Sequence, residues 1–455
     1  MQIITIETPS LGDRSYLVHD GTVAAVIDPQ RDIDRVLDLL EEHELELSAV
    51  FETHVHNDYV TGGYELARRT GASYHLNAAD ELDFEVSGVR DGDELAIGSF
   101  TIRVLHTPGH TPTHLSYVAN DGERDVAVFS GGSLLYGSVG RTDLVTSSLT
   151  EELTRAQHRT AHRLATELAD DVELRPTHGF GSFCSSGDTA GRETSTIGTE
   201  RRDNQAYTIE DEDEFVRILV AGLDAYPTYY AHMAPRNRQG PADVDLSPAE
   251  LVDTSELLRR IHTGEWVVDL RNRTAFAKEH LTGTINIELA DNSSTYLGWL
   301  ISWGTPVTLL ADTAEEIADM QRQLVRIGID RPAGQLPGGP DAVDGSADRG
   351  SYDTTDFAGL REAVDGRDAR VILDTRRRLE WEDGHLPDAV HVPLHELEAR
   401  LDEVPDGEIW VHCASGYRSS IAASLLTRAG RDVVLVDDDF DENAARHFDL
   451  VVPEG

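Results

Sequence analysis

Short apolar runs alternate with longer amphipathic stretches over the first 200 residues of the chain. Runs of four or five residues rich in valine, isoleucine and phenylalanine are typical of buried strands, and they occur at residues 23–27, 49–52, 101–105 and 126–129. Apolar residues spaced three and four positions apart indicate helices, most clearly at residues 32–42 and 149–169. The pattern predicts a mixed α/β fold for this part of the chain.

The second half of the chain contains an internal repeat. Buried strand-like runs occur at residues 307–310 and 409–412. The repeated residues lie at a constant offset of 105 positions: Asp269-Leu-Arg271 recurs as Asp374-Thr-Arg376, Phe276 as Trp381, and His280 as His385. A repeat of this length is typical of two α/β domains of similar size.

Two segments that contain glycine and proline separate these regions. Residues 234–241 hold two prolines and a glycine, and residues 336–356 are rich in glycine, proline and aspartate. Both compositions are typical of linkers. We therefore expect three domains, at residues 1–235, 247–343 and 353–455.

Length and composition narrow the class of protein. The 455 residues exceed what one hydrophobic core usually organises. The longest apolar runs are too short to cross a membrane, and the first residues lack the basic and apolar regions of a secretory signal. Only two cysteines occur, Cys184 and Cys413, which argues against a disulfide scaffold. We expect a cytoplasmic protein, and a homo-oligomer is compatible with the sequence.

The charge of the chain is extreme, with 83 acidic against 39 basic residues and a formal net charge of −44. Lys278 is the single lysine, and acidic residues are spread along the whole chain. Such a surface repels itself unless high salt screens it. The composition therefore indicates a halophilic habitat, and it argues against nucleic-acid partners and anionic membranes.

Histidines and a carboxylate cluster at the ends of predicted strands in the first domain. His54, His56 and Asp58 follow one strand, and His110 and His178 lie in glycine-containing turns after two others. Imidazole and carboxylate groups that converge from strand ends are typical of a metal site. We expect a metal bound by His54, His56, Asp58 and His110, with His178 as a further candidate.

This pattern resembles the metallo-β-lactamase superfamily. The segments 107–114, 140–143 and 176–182 further resemble its persulfide dioxygenase branch. The resemblance implies an αββα sandwich and a mononuclear Fe(II) held by two histidines, matching His54 and His110, and one aspartate.

Two positions depart from the family pattern: Tyr59 stands where a histidine is usual, and Gly132 stands where a ligating aspartate is usual. A site made of His54, His56 and His110 would remain available, with Zn(II) as the alternative metal. A metal-free relic is the other interpretation.

The last domain carries Cys413 at the end of a strand, followed by a short loop and a helix that we expect to begin near Ser419. Loop N–H groups and a helix N-terminus favour a thiolate at such a position. Arg418 adds a cation suited to an anionic sulfur donor. We therefore expect Cys413 and Arg418 to be catalytic, with substrate bound by the loop residues Ser415, Gly416 and Tyr417.

Residues 353–455 resemble rhodanese sulfurtransferases, on the Cys413 loop and on Gly384-His385-Leu-Pro387. The resemblance extends the expected substrate-binding set to Asp374 and Arg376. The spacing Cys-x4-Arg favours sulfur transfer over the Cys-x5-Arg of related phosphatases. Residues 247–343 contain no cysteine, and we interpret them as an inactive pseudo-rhodanese.

Together these resemblances favour a persulfide dioxygenase fused to a sulfurtransferase. It would oxidise a low-molecular-weight thiol persulfide to sulfite and exchange sulfane sulfur with sulfite or thiosulfate in sulfide detoxification. Two alternatives remain: a rhodanese with a catalytically degenerate first domain, and a zinc thioester hydrolase of the glyoxalase II type. The sequence leaves Cys184 equally compatible with a packed thiol and with a role near the metal.

The net charge of −44 predicts a salt-dependent fold. Raising KCl from dilute buffer to molar concentration should raise the melting temperature steeply, because the screening length shrinks to about 3 Å and carboxylate repulsion falls. Calorimetry across a KCl series measures this effect. A flat profile would show that the acidic surface is compensated in another way.

Overall fold

The computed structural model describes residues 1–186, 192–345, 347–366 and 371–452. The chain forms two compact units. The first comprises Met1–Asp245 with Val325–Gly328, and the second comprises Leu246–Leu324 with Ile329–Gly455. No helix among the described residues is long and apolar enough to cross a membrane.

The first unit is built on two six-stranded sheets with helices outside them. Its strands are β1 (Gln2–Thr8), β2 (Asp13–His19), β3 (Val23–Ile27), β4 (Glu46–Phe51), β5 (Ser73–Asn77), β6 (Ser87–Val89), β7 (Glu94–Ile97), β8 (Phe100–His106), β9 (Leu115–Asn120), β10 (Asp125–Gly131), β11 (Glu173–Pro176) and β12 (Ser195–Thr196). Its helices are α1 (Asp34–Glu42), α2 (Gly63–Thr70), α3 (Thr150–Glu167), α4 (Ile197–Asp203), α5 (Gln205–Thr208), α6 (Glu212–Ala221) and α7 (Tyr230–Gln239).

The two sheets face each other across one apolar core. The first has the order β1-β2-β3-β4-β5-β6 and the second β12-β11-β10-β9-β8-β7. Tyr16 and Phe51 from one sheet pack with Phe100 and Phe129 from the other. Helices α1 and α2 cover the outer face of the first sheet, and α3 and α4 cover that of the second. These four layers agree with the mixed α/β fold that the sequence predicts for this region.

The elements after residue 245 form three sheets and eight helices among the described residues. The strands are β13 (Trp266–Asp269), β14 (His280–Leu281), β15 (Ile285–Asn286), β16 (Val307–Ala311), β17 (Gly334–Pro337), β18 (Arg349–Gly350), β19 (Asp353–Thr355), β20 (Val371–Asp374), β21 (Val390–His391), β22 (Ile409–His412) and β23 (Val433–Val436). The helices are α8 (Thr254–His262), α9 (Arg273–Lys278), α10 (Ser293–Leu300), α11 (Ala314–Arg326), α12 (Phe357–Gly366), α13 (Arg378–Asp383), α14 (Tyr417–Arg428) and α15 (Ala445–His447).

Two parallel sheets organise the second unit. One has the order β15-β13-β16-β17 and the other β19-β23-β22-β20-β21. Strands β14 and β18 form a separate antiparallel pair. We call residues 247–343 the central segment and residues 353–452 the C-terminal segment.

The 105-residue repeat is reproduced in side-chain contacts. Arg271 binds Asp269 and donates to the carbonyl of Glu279 at 3.0 Å. Arg376 binds Asp374 and donates to the carbonyl of Gly384 at 2.8 Å. Each later histidine also bonds the carbonyl four residues before it, as His280 does with Phe276 at 2.8 Å. The repeat is therefore structural as well as sequential.

At three places the structure differs from a local prediction made from the sequence. Residues 234–241 lie mostly in helix α7, which tolerates Pro235 because Met233, Ala234 and Asn237 are buried on one face. Residues 336–356 are not a free linker, because β18 and β19 within them pair with other strands. Helix α14 begins at Tyr417 rather than near Ser419, because Gly416 adopts φ +86° and ends the loop there.

Candidate functional site

The predicted metal residues lie on three loops at one edge of the two sheets. His54, His56 and Asp58 follow β4, His110 follows β8, and His178 follows β11. Because these three strands end at the same edge, the loops that follow them converge. The side chains of all five residues are buried.

The four histidine rings form a compact cluster. Ring centroids are 4.1 Å apart for His54 and His56, 4.8 Å for His54 and His110, and 5.3 Å for His110 and His178. Candidate ligand atoms of His54, His56 and His178 lie within 4.8 Å of one another, and those of His110, His178 and Cys184 form a second such group. His178, predicted as a further candidate, therefore belongs to both groups.

One ring nitrogen on each of these histidines has no hydrogen-bond partner within the described residues. These atoms are His54 Nε2, His56 Nδ1, His110 Nε2 and His178 Nε2. Buried polar atoms are otherwise almost always paired. A cation among them would satisfy all four, so the residues present fit a metal of the type that imidazole prefers.

The opposite ring nitrogens are held by neighbours. Thr53 Oγ1 lies 2.9 Å from His54 Nδ1, and His110 Nδ1 lies 2.8 Å from the carbonyl of Arg141. Outer contacts of this kind fix the orientation and tautomer of a metal-binding imidazole. Burial lowers the pKa of His110 to about 3, so this imidazole is neutral and able to donate a lone pair.

His56 sits in an acidic surrounding that the sequence did not indicate. Its Nε2 atom lies 2.9 Å from the hydroxyl of Tyr59 and 3.2 Å from carboxylate oxygens of both Asp28 and Glu52. Burial is the largest single influence and opposes protonation, but the charges and hydrogen bonds of Asp28 and Glu52 together outweigh it and raise the pKa of His56 to about 9. Tyr59 also stacks on His56, with ring centroids 4.2 Å apart. The Tyr59 hydroxyl therefore contacts the His56 ring nitrogen that faces away from the cluster.

Asp58 lies beside His178 together with a second carboxylate. Asp58 Oδ2 is 3.2 Å and Asp13 Oδ1 is 2.9 Å from His178 Nδ1. Burial and the charge of Asp58 raise the pKa of Asp13 to about 7. In the described part of the chain neither carboxylate oxygen of Asp58 completes a hydrogen bond. Asp58 is thus the one predicted carboxylate available to the cluster, and Asp13 is a partner that sequence reasoning missed.

Gly132 is closely packed against His110. A Cβ atom built on Gly132 would lie 2.4 Å from His110 Cδ2, so a side chain there requires His110 to move. The backbone N–H of Gly132 donates to His114 Nε2 at 3.0 Å. The ring of His110 therefore fills the space next to residue 132, where the family places a carboxylate.

Asn237 holds the loop that carries His54, His56 and Asp58. Its side-chain amide donates to the carbonyls of His56 at 3.0 Å and Tyr59 at 2.8 Å. Its oxygen accepts from the N–H of Thr61 at 3.0 Å. The sequence prediction missed this residue because it lies in the stretch interpreted as a linker.

A large cavity opens beside the histidine loops. It has a volume of about 1140 Å³, and its lining includes Val55, Asn57, Thr111, Tyr226 and Tyr230. Residues 55, 57 and 111 each neighbour a cluster histidine in sequence. Cys184 contacts this region, since its Sγ lies 3.9 Å from the hydroxyl of Tyr230. Burial raises the pKa of the Cys184 thiol well above its usual range.

The second predicted site lies at the end of strand β22. Cys413 is only 1% exposed, and Ser419 Oγ donates to its sulfur at 3.4 Å. Gly416 is required at its position, because a Cβ atom there would collide with Asp437. Ser415 lies in this loop and is exposed, whereas Tyr417 is the first residue of helix α14.

Arg418 is not a free cation. Its guanidinium donates to both carboxylate oxygens of Glu380 at 2.6 Å, a bidentate ion pair that the sequence analysis missed. Burial is the largest influence on Glu380 and would raise its pKa, but the hydrogen bonds and charge of Arg418, together with those of Arg377, outweigh it and hold the pKa at about 2. Asp374 and Arg376 bind each other and are both buried. Their predicted role in substrate binding stays a prediction.

Two protein families match separate parts of the chain. The profile of the metallo-beta-lactamase superfamily matches residues 13–178, and that of the rhodanese-like domain matches residues 357–445. Hydroxyacylglutathione hydrolase GloC of Haemophilus influenzae is 30% identical over 150 residues, which is 28% of this chain and 69% of the relative. The chain belongs to the metallo-beta-lactamase superfamily and also carries a rhodanese-like domain.

A second relative and a solved structure show how far the similarity extends. A hydroxyacylglutathione hydrolase of Cereibacter sphaeroides is 34% identical over 31% of this chain and 55% of its own length. The chain thus spans only about half the length of this relative. The crystal structure of a metallo-beta-lactamase from Staphylococcus aureus is 26% identical and covers 74% of this chain and 99% of its own, with a TM-score of 0.67. That likeness extends well beyond residues 13–178.

Gly132→Asp is expected to weaken metal binding, although the family pattern alone would suggest the opposite. The new Cβ atom would displace His110, and changes around metal ligands typically cost affinity about 10- to 100-fold. Metal per chain, measured by mass spectrometry after dialysis, reports the effect. Gly345→Asp is the matched control, because a Cβ atom there meets open space. Unchanged or increased metal in Gly132→Asp would contradict the packing argument.

Proposed function

We propose that the protein is a metal-dependent persulfide dioxygenase joined to a rhodanese sulfurtransferase. The observation that carries the proposal is the convergence of four unpaired imidazole nitrogens beside a cavity of about 1140 Å³, in a chain that also holds the Cys413 loop. The reaction is RSSH + O₂ + H₂O → RSH + SO₃²⁻ + 2H⁺. The sulfite then becomes an acceptor for sulfane sulfur carried by Cys413.

His54, His56 and His178 are the residues proposed to hold the metal, with His110 and Asp58 completing its surroundings. When bound, Fe(II) would supply Lewis acidity and one-electron chemistry toward O₂, and Zn(II) would supply Lewis acidity alone. Asp58 favours iron, because a carboxylate beside histidines is the donor set of non-haem iron sites. Thr53, Tyr59 and Asp13 orient the rings from outside.

The central segment is proposed to be a rhodanese-like fold without a nucleophile. The support is its repeat of the Asp269–Arg271 ion pair and of the contact between His280 and Phe276. The position equivalent to the reactive loop is Asp312, which is exposed and follows strand β16. The central segment thus has the same contacts as the C-terminal segment but no cysteine.

Thioester hydrolysis is the second candidate, because the curated relatives are named hydroxyacylglutathione hydrolases. Two features weigh against it. The Tyr59 hydroxyl binds the outer nitrogen of His56, and Gly132 has no side chain to bridge two metals. We further propose a cytoplasmic, salt-adapted enzyme of sulfide detoxification, on the strength of its composition.

Oxygen uptake with glutathione persulfide separates these functions. The metal-loaded protein is expected to consume one O₂ and release one sulfite per persulfide, and His54→Ala should abolish both. His106→Ala is the control, because the half-buried His106 imidazole bonds the carbonyl of Pro112 and lies outside the cluster. Hydrolysis of lactoylglutathione without oxygen uptake would replace the proposal with the hydrolase. Absence of both activities in metal-loaded protein would leave the first domain without catalysis.

Cys413→Ser is expected to abolish transfer of sulfur from thiosulfate to cyanide, because the nucleophile is lost. Arg418→Ala should reduce the rate as well, since the cation beside the Cys413 loop and its bidentate pair with Glu380 are both lost. Asp312→Asn, at the equivalent position of the central segment, should leave the rate unchanged. Thiocyanate formation measures the reaction. An active Cys413→Ser enzyme would overturn the assignment.

A further inference from the structure

Cys184 lies beside the histidine cluster, in the loop that follows β11. The thiol is fully buried, and the candidate ligand atoms of His110, His178 and Cys184 all lie within 4.8 Å of one another. Within the described residues, His110 Nε2 and His178 Nε2 are buried and have no hydrogen-bond partner. A thiol and two unpaired imidazole nitrogens therefore share one buried region of the first unit.

Arg141 fixes both Cys184 and His110 through its backbone. Its N–H donates to the carbonyl of Cys184 at 2.8 Å, and its carbonyl lies 2.8 Å from His110 Nδ1. Because a carbonyl can only accept, His110 Nδ1 carries the hydrogen and Nε2 carries the lone pair. One residue thus orients the imidazole and holds the backbone that carries the thiol.

His178 presents the same ring nitrogen for a different reason. Its Nδ1 lies 2.9 Å from Asp13 Oδ1 and 3.2 Å from Asp58 Oδ2. These oxygens occupy Nδ1, so Nε2 is the atom left for a further partner. Asp58 also acts on Cys184 through its charge. A carboxylate therefore belongs to the surroundings of the sulfur as well.

The surroundings of Cys184 differ from those of a thiol that only fills space. Buried cysteines usually behave as small apolar residues. The Cys184 sulfur instead lies 3.9 Å from the hydroxyl of Tyr230, a residue that lines the cavity of about 1140 Å³. Thiolate sulfur and imidazole nitrogen are the usual protein ligands of zinc and of related divalent metals. Cys184 is therefore near polar groups of both the cluster and the cavity wall, as a metal ligand would be.

The charge of the cluster gives the thiol a task. Gly132 offers no anionic ligand beside His110, where the family places an aspartate. A divalent cation buried among neutral imidazoles alone is costly, because buried charge needs a counter-charge close by. A thiol that coordinates a divalent metal is deprotonated and so becomes an anionic donor. Cys184 can therefore bring one negative charge into direct contact with the cation.

We propose that Cys184 is a metal ligand and supplies, as a thiolate, the anionic donor that Gly132 does not. The inference rests on the metal centre of the proposed function, and His110 and His178 are the imidazole partners of the sulfur. When the metal–sulfur bond forms, the S–H bond breaks and its proton leaves to solvent. Nothing is oxidised or reduced in this step.

A thiolate ligand changes which metals suit the centre. Two imidazoles and one thiolate make a three-residue donor set, and catalytic zinc sites use three protein ligands with a further position open to substrate. Soft sulfur donors favour zinc, whereas imidazole also accepts iron. The proposed ligand set therefore suits Zn(II) as well as Fe(II).

Cobalt spectroscopy of the full-length Cys413→Ser protein tests the proposal. The chain has only two cysteines, so Cys184 is the one thiol left in this variant. The protein is freed of metal with a chelator and titrated with Co(II). We expect an intense thiolate-to-cobalt charge-transfer band in the near ultraviolet that saturates at a single equivalent. Co(II)-bound protein without this band would overturn the proposal, and the measurement needs no change at Cys184.

Two substitutions at Cys184 separate a ligand from a packed side chain. In the same Cys413→Ser background, Cys184→Ser should lose the charge-transfer band and bind Co(II) at least about tenfold more weakly, the smallest loss typical of changes around metal ligands. Cys184→Asp restores an anionic donor, so its affinity should exceed that of Cys184→Ser while the band stays absent. Equal Co(II) affinity with and without the Cys184 thiol would overturn the proposal.

X-ray absorption at the zinc edge provides a readout independent of cobalt. Zn(II)-loaded Cys413→Ser protein should show sulfur at about 2.3 Å from the metal, together with nitrogen or oxygen at about 2.0–2.1 Å. The sulfur contribution should disappear in the Cys184→Ser version of the same protein. A spectrum that contains only nitrogen and oxygen neighbours would overturn the proposal.

These results separate failure of the inference from failure of the proposed function. Protein that binds neither Co(II) nor Zn(II) would overturn the metal centre and the Cys184 ligand together. Metal bound without sulfur would overturn the ligand and leave the centre standing. Sulfur ligation in protein that consumes no oxygen with glutathione persulfide would support the ligand and overturn the dioxygenase.

Discussion

One buried carboxylate, Asp28, joins the loops from which the histidine cluster is built. It accepts hydrogen bonds from the backbone and hydroxyl of Thr53 at 2.7 and 2.8 Å, and from the hydroxyl of Thr177. Its Oδ1 also lies 3.2 Å from His56 Nε2. An unpaired buried carboxylate costs several kcal/mol, so these donors are required if Asp28 is to be charged. The same contacts tie the loop that carries His54 to the loop that carries His178.

The surroundings of His56 explain how the site can retain a metal while departing from its family. Residue 59 is a tyrosine rather than the usual histidine. Its hydroxyl contacts His56 Nε2, and so do the carboxylates of Asp28 and Glu52. Two carboxylates behind one imidazole increase its electron donation toward a cation, as outer partners of metal ligands do. The family aspartate would bring its negative charge directly to the metal. Here the carboxylates of Asp28 and Glu52 lie behind His56 instead, one contact further from the position of the cation.

Local patterns predicted the elements better than the partners. Apolar runs located the strands near 23–27 and 126–129, and the alternation of histidines located the loop of His54 and His56, because both depend on neighbours in sequence. Asn237, Asp13 and Glu380 have no such pattern. Each acts on residues 38 to 181 positions away, so only the folded chain identifies them. The helix around Pro235 was missed for the same reason, since its stability depends on tertiary burial rather than propensity.

The repeat in the second unit shows that its shared ion pairs occur with and without a cysteine. The ion pairs Asp269–Arg271 and Asp374–Arg376 have nearly the same geometry, with Nη2 to Oδ2 distances of 2.7 Å in both copies. Only the C-terminal copy has a cysteine, so the ion pair does not depend on a nucleophile nearby. In both copies it lies where a buried strand ends and the next loop begins. The central segment also contacts its neighbour directly, since Trp299 stacks on His395 and Arg273 pairs with Asp437. Contacts of this kind need no cysteine, so the part of the repeat that lacks one still contributes to the packing of the second unit.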